Sequence, residues 1–352
     1  MTETRYRDGP EVRTLSRPAA GVLARSSSGA SAARAGLLRR LLWTGLRTVV
    51  TCGLLWLLAS RIDARHAVVL IAGAGPGLAG GSLFALLATT PFNAVRWRAL
   101  CDPEPGLPPA LSFWKILLVG LFFNQMLPSG IGGDAVRAWR CQQLGLRLGI
   151  AVRSILLERA SGYVVYLALL AAALPGLARA GVPLAALLLL LAAGVGGLVA
   201  LFVLDLLPGL ARLPGFAAWL SDLSAAARRL ATDRRRLAAT LGLSAISAGL
   251  TVLGFMLAGA AVGIDAGYGL WLAVVPPVLL IQVIPVSLAG WGVREVALAH
   301  LLGAYGIGGE RAVAASVLFG LVQIAAALPG GLVWLAGWDM RRKAGARTGA
   351  AG

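Results

Sequence analysis

Residues 125–137 read QMLPSGIGGDAVR, and residues 282–294 read QVIPVSLAGWGVR. The two stretches lie 157 residues apart, and at that offset Gln, Pro, Gly, Val and Arg coincide. Each stretch follows a short apolar segment, and each precedes a longer one that contains AAALPG, at 171–176 and at 325–330. These matches indicate an internal duplication, with chance similarity between Gly/Ala-rich segments as the alternative.

The apolar segments that precede the two stretches are too short to cross a membrane. Residues 112–127 and 269–284 each give roughly 24 Å of helix at 1.5 Å per residue, against a hydrocarbon core of roughly 30 Å. Both segments run into a proline, Pro128 and Pro285. Short segments interrupted by proline and glycine in corresponding positions of two halves are typical of broken helices at a transport site. We therefore predict two re-entrant hairpins.

The composition is that of a membrane protein. Of 352 residues, 58% are hydrophobic and a further 46 are glycine, whereas 13% are charged. Soluble domains are roughly 45–50% apolar with glycine included and about 25% charged. The composition therefore excludes a soluble globular, a disordered and a coiled-coil chain. Six further apolar segments are predicted to span a bilayer: 41–60, 67–90, 151–174, 183–206, 237–261 and 312–338.

The distribution of arginine decides the predicted topology. The net charge is +17, but the basic residues lie beside apolar segments, as the positive-inside bias predicts, so nucleic acid is not the expected partner. If all eight hydrophobic segments crossed, the loop 207–236 with its six arginines would lie outside. Six crossing helices plus two re-entrant hairpins place this loop and both termini in the cytoplasm and make the repeats inverted. The sequence thus predicts an all-α integral membrane protein, multi-pass in the cell (plasma) membrane.

The predicted domain organisation has three parts. Residues 1–36 form a disordered basic tail, residues 37–340 a polytopic transmembrane domain, and residues 341–352 a short basic cytoplasmic tail. Within the middle part, residues 208–236 are predicted to contain an interfacial amphipathic helix, with a short solvated linker as the alternative. The apolar face of that helix consists of Phe216, Leu220, Leu223, Ala227 and Leu230.

Two arginines occupy equivalent positions in the repeats. A guanidinium at membrane depth costs at least about 2.5–3.5 kcal/mol, so it should face protein, water or an anion and not lipid. Glycines let the backbone approach a ligand, and a helix N-terminus directs N–H groups at it. We therefore predict that a lipid phosphate binds at Arg137, Arg294, Gly132, Gly133, Gly290 and Gly292. Alternatively, Arg137 pairs with Asp134 and Arg294 with Glu295, or both arginines reach up to the headgroup layer.

A polar network is predicted around these arginines. Glu158 and Arg159 lie inside a span and diverge by about 100° on a helix, so each should meet a different partner, such as Arg137 or Asp134. A structural ion-pair network and a role coupled to substrate or protons are both open. The side chains of Asn124 and Gln125 are expected to bond carbonyls that the helix break frees. The predicted network consists of Asn124, Gln125, Asp134, Glu158, Arg159, Gln282 and Glu295.

The cysteines and histidines show no pattern that is typical of a disulfide framework, a metal site or a catalytic triad. The three cysteines are far apart without a C-x-x-C motif, and the two histidines, His66 and His300, lie in unrelated contexts. We expect no catalytic residue, no metal and no cofactor.

Three stretches resemble a known family: FNQMLPSGIGGDAVRAWR at 123–140, SILLERASGY at 154–163 and IPVSLAGWGVRE at 284–295. They are similar to the lysylphosphatidylglycerol synthase transmembrane-domain family, a flippase-like family, over most of residues 40–340. In bifunctional members, the membrane domain is held to move aminoacylated phospholipid between leaflets, and a separate soluble domain makes that lipid. Because this chain ends about a dozen residues after its last span, we expect a stand-alone membrane domain without the synthase domain.

The expected function is that of a lipid flippase-like transporter, not an enzyme, for an anionic phosphate-bearing or aminoacylated lipid. The expected partners are a membrane phospholipid or, as the resemblance to stand-alone relatives implies, a polyprenyl-phosphate lipid, together with a lipid-synthesis enzyme. Two alternatives stay open. One is a membrane-embedded glycolipid or polyprenyl-phosphate transferase with Glu158 or Asp134 as base. The other is a non-catalytic partner of an envelope-synthesis enzyme.

Overall fold

The structure is a computed structural model. It describes residues 45–46, 48–53, 56–57, 60, 63–101, 107–127, 132–203, 206, 214–283 and 290–336. The chain falls into two units, 1–46 and 47–352, and only residues 45 and 46 of the first are described. Both predicted tails and both predicted proline breaks, at Pro128 and Pro285, lie outside the described residues.

Helices make up all the regular secondary structure in the described part of the second unit. Residues 48–53 are helical and belong to the first predicted span. The further helices are α1 Ala64–Ala72, α2 Pro76–Leu100, α3 Ala110–Met126, α4 Gly132–Gln143, α5 Leu148–Arg179, α6 Leu184–Val203, α7 Pro214–Thr232, α8 Arg234–Ala261, α9 Tyr268–Ile281, α10 Val293–Gly303 and α11 Gly309–Leu335.

Five of these helices are long and apolar enough to cross a membrane: α2, α5, α6, α8 and α11. Helices α3 and α9 are apolar but shorter. The predicted all-α membrane architecture is therefore confirmed. The number of crossings, the re-entrant course of the hairpins and their inverted orientation stay predictions.

The two repeats have the same order of helices. In the first, the short helices α3 and α4 pack against each other and lead into the long α5; in the second, α9 and α10 pack together and lead into α11. The AAALPG sequences lie inside α5 and α11, so the helices continue through Pro175 and Pro329. The motif QMLPSGIGGDAVR and its counterpart thus each join two short helices of a hairpin.

The predicted span 67–90 differs from the structure in its interior and at its C-terminal end. Residues 67–90 do not form one helix, because the chain breaks between α1 and α2, where Gly75 precedes Pro76 at the first turn of α2. The Gly75 N–H donates to the carbonyl of Ala261 at the end of α8, at 3.1 Å, so a backbone group left free by the break is satisfied. At its other end α2 continues through Pro91 to Leu100. The helix therefore extends ten residues beyond the predicted end of the span at residue 90.

Close helix contacts at glycine link the two repeats. Gly330 on α11 lies against the backbone of α3, where a Cβ atom would overlap the Leu118 carbonyl, and a Cβ at the adjacent Gly331 would crowd the ring of Phe122. Small residues allow this close approach of backbones inside a membrane. Helix α11 of the second repeat therefore packs directly on the first hairpin.

The predicted amphipathic segment forms helix α7, and the alternative of a solvated linker is wrong over 214–232. Leu220 and Leu223 of its predicted apolar face are buried, together with Leu100 of α2 and Leu157 of α5. The apolar face thus packs on the helix bundle itself. This packing holds α7 beside the ends of α2 and α5.

We expect Gly330→Ala to destabilise the protein by about 1–3 kcal/mol, because the added methyl group overpacks the contact with α3. Gly242→Ala on α8 is the matched control, since a Cβ there meets nothing within 4 Å. In that helix interior alanine is favoured over glycine by about 1 kcal/mol. Thermal unfolding of both purified variants measures the difference, and equal midpoints would contradict the packing argument.

The predicted topology is testable with single cysteines in a Cys52→Ser background, because Cys52 is exposed whereas Cys101 and Cys141 are buried. A membrane-impermeant maleimide should label Asp265→Cys in intact cells, because residues 262–268 contain no Lys or Arg and are predicted to face outside. It should label Arg235→Cys, in the loop predicted to be cytoplasmic, only after permeabilisation. Labelling of Arg235→Cys in intact cells would rule out the six-crossing arrangement.

Candidate functional site

The start of α4 is held tightly against α3. The Gly133 N–H donates to Asn124 Oδ1 at 2.9 Å. A Cβ at Gly133 would overlap both the Gly120 carbonyl and the Asn124 side chain, so only glycine fits there. The Asn124 side chain thus accepts from a helix N–H, and the predicted bond to a freed carbonyl is not the one observed. Gln125 is half-buried at the end of α3.

Glu158 is the acidic centre of the site. It is buried on α5, at 6% exposure. Its Oε1 accepts from Arg96 Nη2 at 2.6 Å, and its Oε2 accepts from Arg137 Nη2 at 2.8 Å. One carboxylate therefore joins three helices, α2, α4 and α5, through charge-assisted hydrogen bonds.

Arg96 is the member of the site that the sequence analysis missed. It lies on the part of α2 beyond the predicted end of the span at residue 90, and its Nη1 donates to Ser244 Oγ on α8 at 2.7 Å. A signal for it exists in the sequence. The apolar residues Ala94, Trp97 and Leu100 continue a helical spacing past Pro91, which extends the helix far enough to include Arg96.

Arg159 and Asp134 complete the arrangement. Arg159 Nε donates to Asp134 Oδ2 at 2.7 Å, and Asp134 Oδ1 accepts from Arg137 Nη1 at 3.3 Å. Glu158 and Arg159, adjacent on α5, therefore meet different partners. The arginine cluster, as we call it, consists of Arg96, Asp134, Arg137, Glu158 and Arg159.

The arginine cluster carries one more positive than negative charge, because three guanidiniums face two carboxylates. The Nε atoms of Arg96 and Arg137 are buried without a hydrogen-bond partner. The guanidinium of Arg137 lies 4.0 Å from the centroid of the Trp97 ring, whose Nε1 donates to Ser154 Oγ at 3.0 Å. Burying an excess charge away from water costs free energy unless an anion compensates it.

The corresponding position in the second repeat has balanced charge. Arg294 Nη2 donates to Glu295 Oε1 at 2.8 Å, and Arg294 Nη1 donates to Gln323 Oε1 at 2.8 Å. Arg294 Nε also donates to Ser316 Oγ at 3.0 Å. Arg294 is 2% exposed and Glu295 is fully buried. Here one guanidinium pairs with one carboxylate, and both groups form further hydrogen bonds with neighbouring residues.

The glycines of the second motif shape the start of α10. Gly290 and Gly292 have φ of 82° and 86°, a backbone region that favours glycine. The Gly292 N–H donates to Glu295 Oε2 at 2.6 Å, which caps the helix. Gln282 lies against Gly290 and donates from Nε2 to the Val278 carbonyl at 3.2 Å.

The predicted site residues thus belong to two separate clusters. The structure brings Asp134, Arg137, Glu158 and Arg159 together in the first repeat and Arg294 with Glu295 in the second. Both arginines have the internal partners that were the alternative to phosphate binding, Asp134 and Glu295. Among the described residues, no three His, Cys, Asp or Glu side chains are grouped as a metal site.

The fold and this buried ionic site define a multi-pass, all-α integral membrane protein. The model of the family described as Lysylphosphatidylglycerol synthase TM region matches residues 45–331. The chain belongs to this family, as its motifs predicted. The match covers both hairpins and both clusters. No curated protein matches the chain.

Glu158→Gln should destabilise the protein by about 3–5 kcal/mol, because it leaves the guanidiniums of Arg96 and Arg137 buried without their shared carboxylate. Combining it with Arg96→Gln should recover part of that loss. Asp222→Asn, at an exposed position on α7, serves as the charge-matched control and should have little effect. Thermal unfolding of the purified variants tests this, and similar midpoints for Glu158→Gln and Asp222→Asn would contradict the bridging role.

Proposed function

We propose that this protein moves an anionic, phosphate-bearing lipid between the leaflets of the cell membrane without changing its covalent structure. The lipid is an anionic phospholipid or a polyprenyl phosphate. An aminoacylated phospholipid is the alternative substrate, but its amino groups offset the phosphate charge, so it fits the arginine cluster less well. The family is named after the membrane region of an enzyme of lipid synthesis, lysylphosphatidylglycerol synthase, which supports a lipid as the substrate.

The excess positive charge of the arginine cluster is the observation that carries the proposal. In water such a charge would be neutralised by counterions, but the side chains of Arg96, Arg137 and Glu158 are buried among membrane helices. A phosphate that enters the cluster would compensate the charge and accept bidentate hydrogen bonds from a guanidinium. An anionic headgroup therefore gains more at this site than a zwitterionic or neutral one.

The weakest contact in the arginine cluster indicates where the phosphate enters. Arg137 is bound to Asp134 at 3.3 Å, the longest ion pair of the cluster. A phosphate can take the place of Asp134 beside Arg137 while Glu158 keeps its bonds to both arginines. Asp134 then stays paired with Arg159.

The two hairpins supply the path in this proposal. Broken helices in inverted repeats give alternating access when one hairpin opens as the other closes. The second hairpin, with its balanced Arg294–Glu295 pair, stays closed in the absence of an anion. The first hairpin carries the excess positive charge and attracts the anion. The headgroup moves through the polar interior while the lipid chains stay in the bilayer.

The transferase alternative has less support from the geometry. A general base needs a free carboxylate oxygen within reach of the proton that it removes. Both oxygens of Glu158 and both of Asp134 accept from arginines. These carboxylates are better suited to holding guanidiniums in place.

Arg137→Gln is the decisive variant, because it removes the excess charge and leaves two one-to-one pairs, Arg96–Glu158 and Arg159–Asp134. The variant should fold, yet it should move fluorescent phosphatidylglycerol across the bilayer of reconstituted vesicles at least about tenfold more slowly, since a hydrogen bond to a charged group contributes about 1.5–3 kcal/mol. Arg137→Lys should restore part of the rate, because it keeps the charge without the fork.

Arg179→Gln, at the exposed end of α5, is the matched control and should move lipid at the wild-type rate. The same vesicles are tested with polyprenyl phosphate, and mass spectrometry follows the lipid. Chemical conversion of the lipid by the purified chain would support the transferase instead. No redistribution of any phosphate-bearing lipid by folded wild-type protein would favour the non-catalytic partner of a synthesis enzyme.

A further inference from the structure

A cavity of about 370 Å³ lies between α5 and α6 and reaches the end of α9 at Leu280. Its volume is within the range of about 300–1,000 Å³ that is typical of ligand pockets. Most of its wall is apolar, and the α5 side is formed by a helical face that includes Tyr163 and Leu167. None of the residues that the sequence analysis selected for phosphate binding lines it.

Small residues on α6 create the hollow. Ala193, Gly194 and Gly197 lie on the face of α6 that turns towards α5. Gly194 is in close contact with Leu167, where a Cβ atom would overlap that side chain. A Cβ at Gly197, in contrast, would meet nothing within 4 Å. The space beside Gly197 is therefore open.

One side of the cavity opens to the exposed surface of α6. Ala193 and Gly197 line the cavity and are exposed, and Leu187 is the buried residue of α6. Helix α6 is also among the apolar candidate spans. In a membrane, the molecules at the mouth of this cavity are therefore lipid chains.

The charged end of the cavity is Arg159. Its side chain is 36% exposed, whereas those of Arg96 and Arg137 are 7% and 8% exposed. Arg159 is thus the arginine of the cluster that a ligand in the cavity can reach. Its positive charge is complementary to a phosphate, and Tyr163 next to it can donate a hydrogen bond.

We propose that this cavity binds one hydrocarbon chain of a phosphate-bearing lipid, with the phosphate at Arg159. The inference rests on the proposed function and adds a holding site for the lipid beside the arginine cluster. The chain enters sideways from the bilayer between α5 and α6, and the headgroup stays at the edge of the cluster. From there the phosphate can replace Asp134 as the partner of Arg137 in one step.

Photo-crosslinking tests the cavity directly. Full-length protein in phosphatidylcholine vesicles is irradiated with phosphatidylglycerol that carries a diazirine in one acyl chain, and the adducts are mapped by mass spectrometry. Labelling of the cavity face of α6, at Ala193 and Leu198, should be saturable by unlabelled phosphatidylglycerol. Labelling of Leu189, which is 72% exposed and does not line the cavity, should not be. Cavity labelling that excess lipid does not reduce would overturn the proposal.

Two neighbouring glycines give a matched pair of variants. Gly197→Leu places a side chain in the open space and should lower saturable labelling by about tenfold, the size of effect that a misfitting methylene produces in an apolar pocket. Gly196→Leu makes the same change one residue away, outside the cavity lining, where a Cβ also meets nothing within 4 Å. Equal labelling of the two variants would overturn the proposal. Ala193→Leu is the second cavity variant if Gly197→Leu does not fold.

Competitors identify the headgroup. Unlabelled phosphatidylglycerol and polyprenyl phosphate should both compete for the cavity, and the stronger competitor indicates which of these lipids is the ligand. Diacylglycerol, which has the chains but no phosphate, should compete at least about tenfold more weakly if Arg159 contributes a charged hydrogen bond. Equal competition by diacylglycerol would overturn the placement of phosphate at Arg159.

Transport in the same vesicles separates this inference from the proposed function. Saturable labelling of the cavity without transbilayer movement of lipid would overturn the proposed function and leave the binding site in place. Transbilayer movement without saturable labelling would overturn the cavity assignment and leave the transport function in place.

Discussion

The contact of Glu158 with two arginines is the interaction on which the first half of the protein depends. It draws Arg96 of α2 and Arg137 of α4 to one carboxylate of α5, and Arg96 extends the link to Ser244 of α8. None of these charges is acceptable against lipid by itself. Each helix can bury its polar residue only in the presence of the others, so the ionic contact fixes which helices are neighbours and at what depth.

The two repeats use their shared arginine differently. In the first repeat, three arginines share two carboxylates on three helices, and one positive charge remains. In the second, Arg294 and its neighbour Glu295 balance each other within one helix, supported by Ser316 and Gln323 of α11. The two similar stretches therefore lie in one cluster with an excess positive charge and one cluster with balanced charge. In the proposed function, this difference makes the first hairpin the side that attracts an anion and the second hairpin the side that closes without one.

Helix boundaries show where sequence reasoning succeeded and where it failed. Apolar periodicity and length, which are local properties, predicted the long helices α5, α6, α8 and α11, the short helices of both hairpins and the amphipathic helix α7. They did not predict the end of α2, since the predicted span stopped at residue 90, whereas the helix continues through Pro91 to Leu100. Burial of Arg96 against Glu158 and of Trp97 against Phe113 stabilises the helix beyond that proline. These partners lie far away in sequence, so no local pattern contains their contribution.

The sequence by itself determined the class of the protein, the similarity of the two motif stretches and the residue types of the site, because composition, spacing and polar residues inside apolar segments can be read without coordinates. It also marked Arg137 and Arg294 as equivalent. Only the tertiary structure decided that they are not equal, since the charge balance around each depends on side chains from other helices. The cavity beside Arg159 likewise follows only from the tertiary structure, because different helices form its walls.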